Sequence, residues 1–328
     1  MKEVDSFLTI EDLRADVAEW WDPVKINHKG YDIYTAGTPG NGFTALFTLG
    51  VMEQFPLERL KHNSPQYLHT LIEVLKESSK VRLNYPGSLE EKNNIINHVL
   101  TSNNFQSIVN SIETTKTSDF NVHSSSEGIN TTHFVVMDKW GNIVSSTQTL
   151  GFGFGSKVMV EGTGIWMNDS VAFSTFEPKG NPMDALPGRY KLSSNSPVII
   201  MKKGLPWAAL GTPGGHTITQ NVAQLVINLI DFKMNMQQAI DSPKLVFIDE
   251  KNIVCTESGI PQSVVSSLKK MRHVVDNKHI KNYIGLSGKI GNAMGIKIIY
   301  NKYDVSFDVG IDKRKDGWST THLIPSKK

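Results

Sequence analysis

Cysteine is almost absent: the 328-residue chain has one, Cys255. A lone thiol excludes an internal disulfide and a cysteine-built metal site, and reads as a small buried apolar side chain. No apolar run approaches the ~20 residues needed to span a bilayer. An excess of charge of one sign is also lacking, with 34 basic against 32 acidic residues. That balance offers neither nucleic acid nor an anionic membrane surface anything to hold, so neither is expected as a partner. Met1-Lys2-Glu3-Val4-Asp5 is acidic and no apolar core follows, so no secretory leader is visible and the expected location leans cytoplasmic. Familiar catalytic signatures are missing: there is no GxSxG elbow and no HExxH helix. Gly285-Leu286-Ser287-Gly288-Lys289 has neither the earlier glycine nor the following hydroxyl of a phosphate loop. The 10 histidines are scattered, with no pair at ligand spacing beside carboxylates, so no metal or other cofactor is expected.

What is present is an ordinary globular composition, 39% apolar and 20% charged. The chain is long enough for one large domain or two smaller ones. Its first third reads as mainly helical. Thr9 with Asp12 predicts a capped helix over Ile10–Glu19, and Phe43–Phe55 has a helical pattern. Ser64-Pro65 opens a third helix with Leu68, Leu71, Ile72 and Leu75 on one face, and Ser88 with Glu91 opens a fourth. Tyr31–Thr35 reads as a strand.

The composition changes at His123-Ser124-Ser125-Ser126-Glu127-Gly128-Ile129-Asn130, a small, polar stretch without periodicity that reads as an exposed loop. Strands cluster behind it: Thr131–Met137, Ile143–Leu150, Gly162–Met167, Ser196–Met201, Trp207–Leu210, Met294–Tyr300 and Val305–Val309. Helices are predicted from Thr217 to Asp231 and from Pro261. Helices ahead and strands behind indicate an α+β layered fold, not alternating βαβ units. The expected division is 1–130, helical and ending in the loop, and 131–328, the catalytic region.

The turn Asp138-Lys139-Trp140-Gly141-Asn142 fixes a register. If Gly141 takes the left-handed position of a three-residue loop, Asp138 pairs with Asn142 and Thr131 falls opposite Thr149. A threonine hydroxyl is a weak nucleophile without a base, and a threonine that begins a chain can use its own α-amine. That amine titrates at about 7.7–8.0, which suits a general base. Such a threonine must first be freed by cutting the bond before it, here Asn130–Thr131. Thr131, at the junction of a polar loop and a strand, is placed for that step. His133 reads as structural. Gly214 and Gly215 lie just ahead of the helix at Thr217, where free N–H groups favour negative charge and let a carbonyl approach closely. They are the candidate oxyanion donors.

Together these segments resemble the gamma-glutamyltransferase family of N-terminal-nucleophile hydrolases. Thr131-Thr132-His133-Phe134 resembles its processing site, and Thr149 its second threonine, which bonds the nucleophile. Leu192-Ser193-Ser194-Asn195-Ser196-Pro197 is similar to its substrate-binding P-L-S-S-M-S-P, with Lys191 in place of proline. Gly211-Thr212-Pro213-Gly214-Gly215 resembles its G-S-P-G-G, and Asp312-Lys313-Arg314-Lys315-Asp316-Gly317 its D-P-R-x-D-G. Leu8–Leu13 and the Pro39–Gly42 turn match the end of its large subunit. The resemblance implies a four-layer αββα sandwich of two mainly antiparallel sheets, Ser193, Ser194, Asn168 and Ser170 as substrate-binding residues, and no cofactor. It further implies a heterodimer of the two cleaved pieces, with higher assembly left open, acting on a γ-glutamyl amide such as glutathione.

The departures define the alternatives. The early part of the family's large subunit, source of an arginine for the substrate α-carboxylate, has no counterpart here and is a candidate partner as a separate segment. Asn168-Asp169-Ser170-Val171-Ala172-Phe173-Ser174 stands where transpeptidases have N-N-Q-M-D-D-F-S, so the aspartate for the substrate α-amine is missing. Gly151 replaces an asparagine. Ser174–Lys191 is shorter than in members with a lid. A related amidase or acylase on another amide, or an inactive scaffold, therefore stands beside the γ-glutamyl reading.

Overall fold

The structure is a computed structural model. It describes residues 7–83, 94, 96–121, 130–176, 179–180, 184–188, 190, 193–278, 290–302, 304–314 and 317–320. The polar loop at 123–129, most of the helix expected from Ser88, and the glycines at 285 and 288 lie outside them.

Local rules start the chain as expected and then lose to tertiary packing. Thr9 and Asp12 form a reciprocal capping box, yet α1 spans only Ile10–Ala15. None of its residues is buried, so no packing extends so short a helix toward Glu19. The strands β1 (Val24–His28) and β2 (Tyr31–Thr35) form a hairpin, and α2 (Phe43–Met52) follows with every residue buried. Helix α3 (Pro65–Leu83) starts with proline at its first position, as read. β1 and α4 (Ser102–Ser111) were not anticipated.

Beyond the loop come β3 (Asn130–Met137) and β4 (Ile143–Gly151), then the short β5 (Met159–Val160) and β6 (Ile165–Trp166). β7 (Val198–Lys202) and β8 (Leu205–Gly211) precede α5 (Ile218–Ile230) and α6 (Met236–Asp241). β9 (Leu245–Ile248) and β10 (Ile253–Thr256) pair, α7 spans Gln262–Lys270, and β11 (Met294–Tyr300) and β12 (Val305–Ile311) close the fold.

The centre is a six-stranded antiparallel sheet in the order β1-β2-β7-β8-β11-β12. Helices cover one face. Gly295 and Gly310 leave room there for Met236 of α6, within 3 Å of where a Cβ would stand on either glycine. α2, α3 and α5 share the same apolar core with Ile33, Ile200, Ala208 and Leu210. The β3–β4 hairpin lies on the opposite face, over β8. Ser145 Oγ donates to Leu210 O at 3.2 Å, and the His133 ring covers Gly211, where an added Cβ would stand 2.3 Å from the imidazole Cε1. The result is the expected α+β sandwich. Among the described residues, no helix layer covers the hairpin's outward side, which exposes Phe134, Val136, Val144 and Leu150.

Candidate active site

The hairpin turn is the one read from the sequence. Gly141 has φ +87°, and Asp138 Oδ1 accepts from the Trp140 and Asn142 N–H groups at 2.9 Å each. Thr131 pairs with Thr149, His133 with Thr147 and Val135 with Ser145. The ladder slips between Asn130 and Thr131, because Asn130 pairs with Gly151 and Leu150 is passed over. The irregularity coincides with the peptide bond expected to be cut. Bulges re-aim local groups in this way.

That slip brings three groups onto one hydroxyl. Thr149 Oγ1 donates to the Asn130 carbonyl at 2.7 Å and accepts from Thr131 Oγ1 at 3.3 Å and from Gly151 N at 2.9 Å. The Thr149 hydroxyl thus polarises the carbonyl before Thr131 and orients the Thr131 oxygen. His133 shares the inward face with Thr131 but is 2% exposed, with Nδ1 2.9 Å from Thr147 Oγ1. Burial pushes its pKa down to about 4, so it is neutral and acts as a spacer between the hairpin and β8.

The oxyanion candidates follow directly from β8. Gly214 has φ +143° and Gly215 φ +59°, conformations that favour glycine, and the turn Gly215–Thr217 feeds α5. Thr217 Oγ1 donates to Gly214 O at 2.8 Å and pins the loop. Among the described residues, no hydrogen bond uses the Gly214 or Gly215 N–H, which leaves two donors at a helix entrance for an anion.

Ser193 and Ser194 lie against the Pro39–Gly42 turn: Gly40 bridges to Ser193, and Asn41 N donates to Ser193 O at 2.6 Å. The Ser194 hydroxyl and both polar atoms of the Asn41 amide are buried, without a hydrogen-bond partner among the described residues. Such groups call for a bound polar partner. Asn41 was not among the residues singled out from sequence, because nothing local shows that its amide is enclosed. Leu192 and Lys191 lie outside the described residues. Asn168 and Ser170 sit together, with Asn168 Oδ1 accepting from Ser170 N at 3.0 Å. Asp312 and Arg314 serve the structure: Arg314 bridges Asp312 at 2.7 Å and Glu257 at 2.5 Å.

One cluster escaped sequence reading because His273 lies 204 positions from His69. His69, Glu73 and His273 bring their ligand-type atoms within 4.8 Å of one another, all buried. Each is already engaged. His69 Nε2 faces Glu113 O at 2.8 Å and its Nδ1 faces His273 Nε2 at 2.7 Å. Glu73 accepts from Lys76, Thr117 and the Ser118 backbone. The arrangement is a hydrogen-bonded network with an ammonium beside the carboxylate, which opposes a second cation.

Comparison with known families settles the framework. The gamma-glutamyltranspeptidase family model matches residues 1–320. The chain belongs to that family. It is 29% identical over 320 residues to a glutathione hydrolase-like YwrD proenzyme of Bacillus subtilis (strain 168), covering 95% of this chain and 58% of the relative. It is 31% identical over 260 residues to a glutathione hydrolase proenzyme of Pseudomonas sp. (strain A14), covering 74% and 45%. An acylase ACY 1 proenzyme of Pseudomonas sp. (strain SE83) is 28% identical over 271 residues, covering 80% and 48%. This family member therefore spans about half the length of the curated relatives it matches. Its fold matches the crystal structure of a cephalosporin acylase from Bacillus halodurans with a TM-score of 0.78 at 23% identity, over 98% of this chain and 57% of the other.

Proposed function

We propose that the protein is a self-processing threonine amidohydrolase whose nucleophile is Thr131. The supporting observation is the hydrogen-bond chain from the Thr131 hydroxyl through Thr149 to the Asn130 carbonyl. In the first reaction the Thr131 oxygen attacks the Asn130 carbonyl carbon. The C–N bond breaks, the nitrogen takes the proton, and an ester joins the two residues. Water then hydrolyses the ester, leaving an Asn130 carboxylate and a free Thr131 amine.

The same oxygen next attacks an external amide. The new amine removes the hydroxyl proton and passes it to the leaving nitrogen, while the Gly214 and Gly215 N–H groups hold the oxyanion. Water or an amino acid resolves the acyl-enzyme. Ser193, Ser194, Asn168 and Ser170 are the proposed substrate contacts, and the buried Ser194 hydroxyl, unpaired among the described residues, supports that role.

γ-Glutamyl amides such as glutathione are the first substrate class, because several relatives are named glutathione hydrolases. A different acyl amide is the second reading, supported by the acylase relatives and by neutral Ala172 and Phe173. The partner proposed for the exposed Phe134, Val136, Val144 and Leu150 is a polypeptide segment of the kind that fills the unmatched half of the relatives. Intact mass and terminal sequencing provide the test. Wild type should yield a terminus at Thr131, and Thr131→Ala should stay whole. Cutting of Thr131→Ala at the wild-type rate would refute the nucleophile.

A further inference from the structure

The Gly214 and Gly215 N–H groups belong to two successive peptide units, whose other ends are the Pro213 and Gly214 carbonyls. In a planar trans peptide the C=O and N–H point in opposite directions, so whatever fixes the carbonyl aims the donor. A threonine hydroxyl holds each of these carbonyls. Thr212 Oγ1 donates to Pro213 O at 2.8 Å, and Thr217 Oγ1 donates to Gly214 O at 2.8 Å. Each hydroxyl also accepts: Thr212 Oγ1 from Asn292 N at 3.1 Å, and Thr217 Oγ1 from Asn221 Nδ2 at 3.4 Å. An incoming donor occupies a lone pair and leaves the single hydroxyl proton for the carbonyl.

Thr212, Thr217 and Asn221 are all buried. A Cβ on Gly291 would stand 2.7 Å from Thr212 Oγ1 and 3.3 Å from Asn221 Nδ2, so one backbone turn closes over both sets of bonds. The need for them follows from the residues they hold. Glycine has no side chain to pack, and the pair at φ +143° and +59° can rotate its peptide planes at little cost. A rotated plane would turn a carbonyl oxygen, in place of an N–H, toward a developing negative charge. Two enclosed hydroxyls oppose that rotation, one for each plane.

We infer that Thr212 and Thr217 are positioning residues, each orienting one of the two proposed oxyanion donors through the carbonyl of the same peptide unit. This rests on the amidohydrolase reading and deepens it, because it names the side chains that set the charge-stabilising site before substrate arrives. Preorganised donors are effective because they need no reorientation during the reaction. Both threonines act through the glycine backbone.

The test is kcat and KM of the processed enzyme with γ-glutamyl-p-nitroanilide and with a simple acyl p-nitroanilide. Thr212→Val and Thr217→Val remove the hydroxyl at nearly constant shape. Each should lower kcat roughly 10- to 100-fold at unchanged KM, part of the 10²–10³ lost with a whole donor. Thr212→Ser and Thr217→Ser keep the hydroxyl and should retain most of the rate. Thr212→Ala and Thr217→Ala give the same readout if a valine prevents folding. An unchanged kcat in either hydroxyl-free variant, a loss confined to KM, or a serine variant as slow as valine overturns the inference. If wild type turns over neither substrate, the amidohydrolase reading fails separately, and crystal structures of the variants decide this one. The Pro213 carbonyl in Thr212→Val and the Gly214 carbonyl in Thr217→Val should rotate out of their wild-type directions. Either carbonyl found in its wild-type direction overturns it.

Discussion

A single hydroxyl, that of Thr149, touches both the attacking oxygen and the carbonyl of the proposed first reaction. Thr149→Ala removes the donor to the Asn130 carbonyl and leaves the Thr131 oxygen without its orienting partner. Self-cutting should slow by about 10²–10³, the usual cost of losing a carbonyl-polarising donor. Thr149→Ser should retain most of the rate, and the fraction uncut over time by mass spectrometry reports both. The Thr131–Thr149 pair was legible in sequence because one glycine in a short turn fixes every pairing of a hairpin. Local spacing gave no hint that Asn41 would be enclosed beside Ser194.

Elements were readable where their cause was local. The capping box of α1, the proline start of α3 and the bounds of β11 follow from neighbouring residues. The four buried residues each of β9 and β10 have no alternation to separate strand from core helix, so they were missed. β1 was missed because the strand beside it defines it. The contact between elements that matters most is the hairpin seated on β8 through His133 and Gly211. Gly211→Ala would force a methyl group into the imidazole and should destabilise the fold by about 1–3 kcal/mol, the range for overpacking. Urea unfolding would show it as a lowered midpoint, and Gly211→Ala combined with His133→Ala should recover part of the loss.

Buried histidines contribute to the response of the whole molecule to pH. Burial alone would lower the pKa of His28, but its hydrogen bond to Asp231 and the Glu53 carboxylate 3.4 Å from its Nδ1 raise it from 6.5 to about 9. The charged form is the one stabilised by folding, so this contribution is full below about pH 6.5 and disappears as pH rises through 9. It amounts to about 3 kcal/mol, taking 1.36 kcal/mol per unit. Burial lowers His133 and His273 from 6.5 to about 4. Their contribution is present above pH 6.5 and is lost as pH falls through 4. Stability should therefore peak near neutral pH. In His28→Gln the alkaline decline should flatten while the acid decline remains; denaturant midpoints measured against pH would show whether it does.

The central sheet crosses the Asn130–Thr131 boundary. β2 lies before it and β7 after it, yet they pair along their full length from Tyr31↔Lys202 to Thr35↔Val198. Severing the backbone at that point would leave this seam intact, with the apolar core closed over it. The two products could not drift apart as subunits that merely dock, because separating them would require tearing a sheet through its middle. Covalent continuity and structural continuity are thus uncoupled in this fold, and the proposed cut would expose a new amine without creating two bodies.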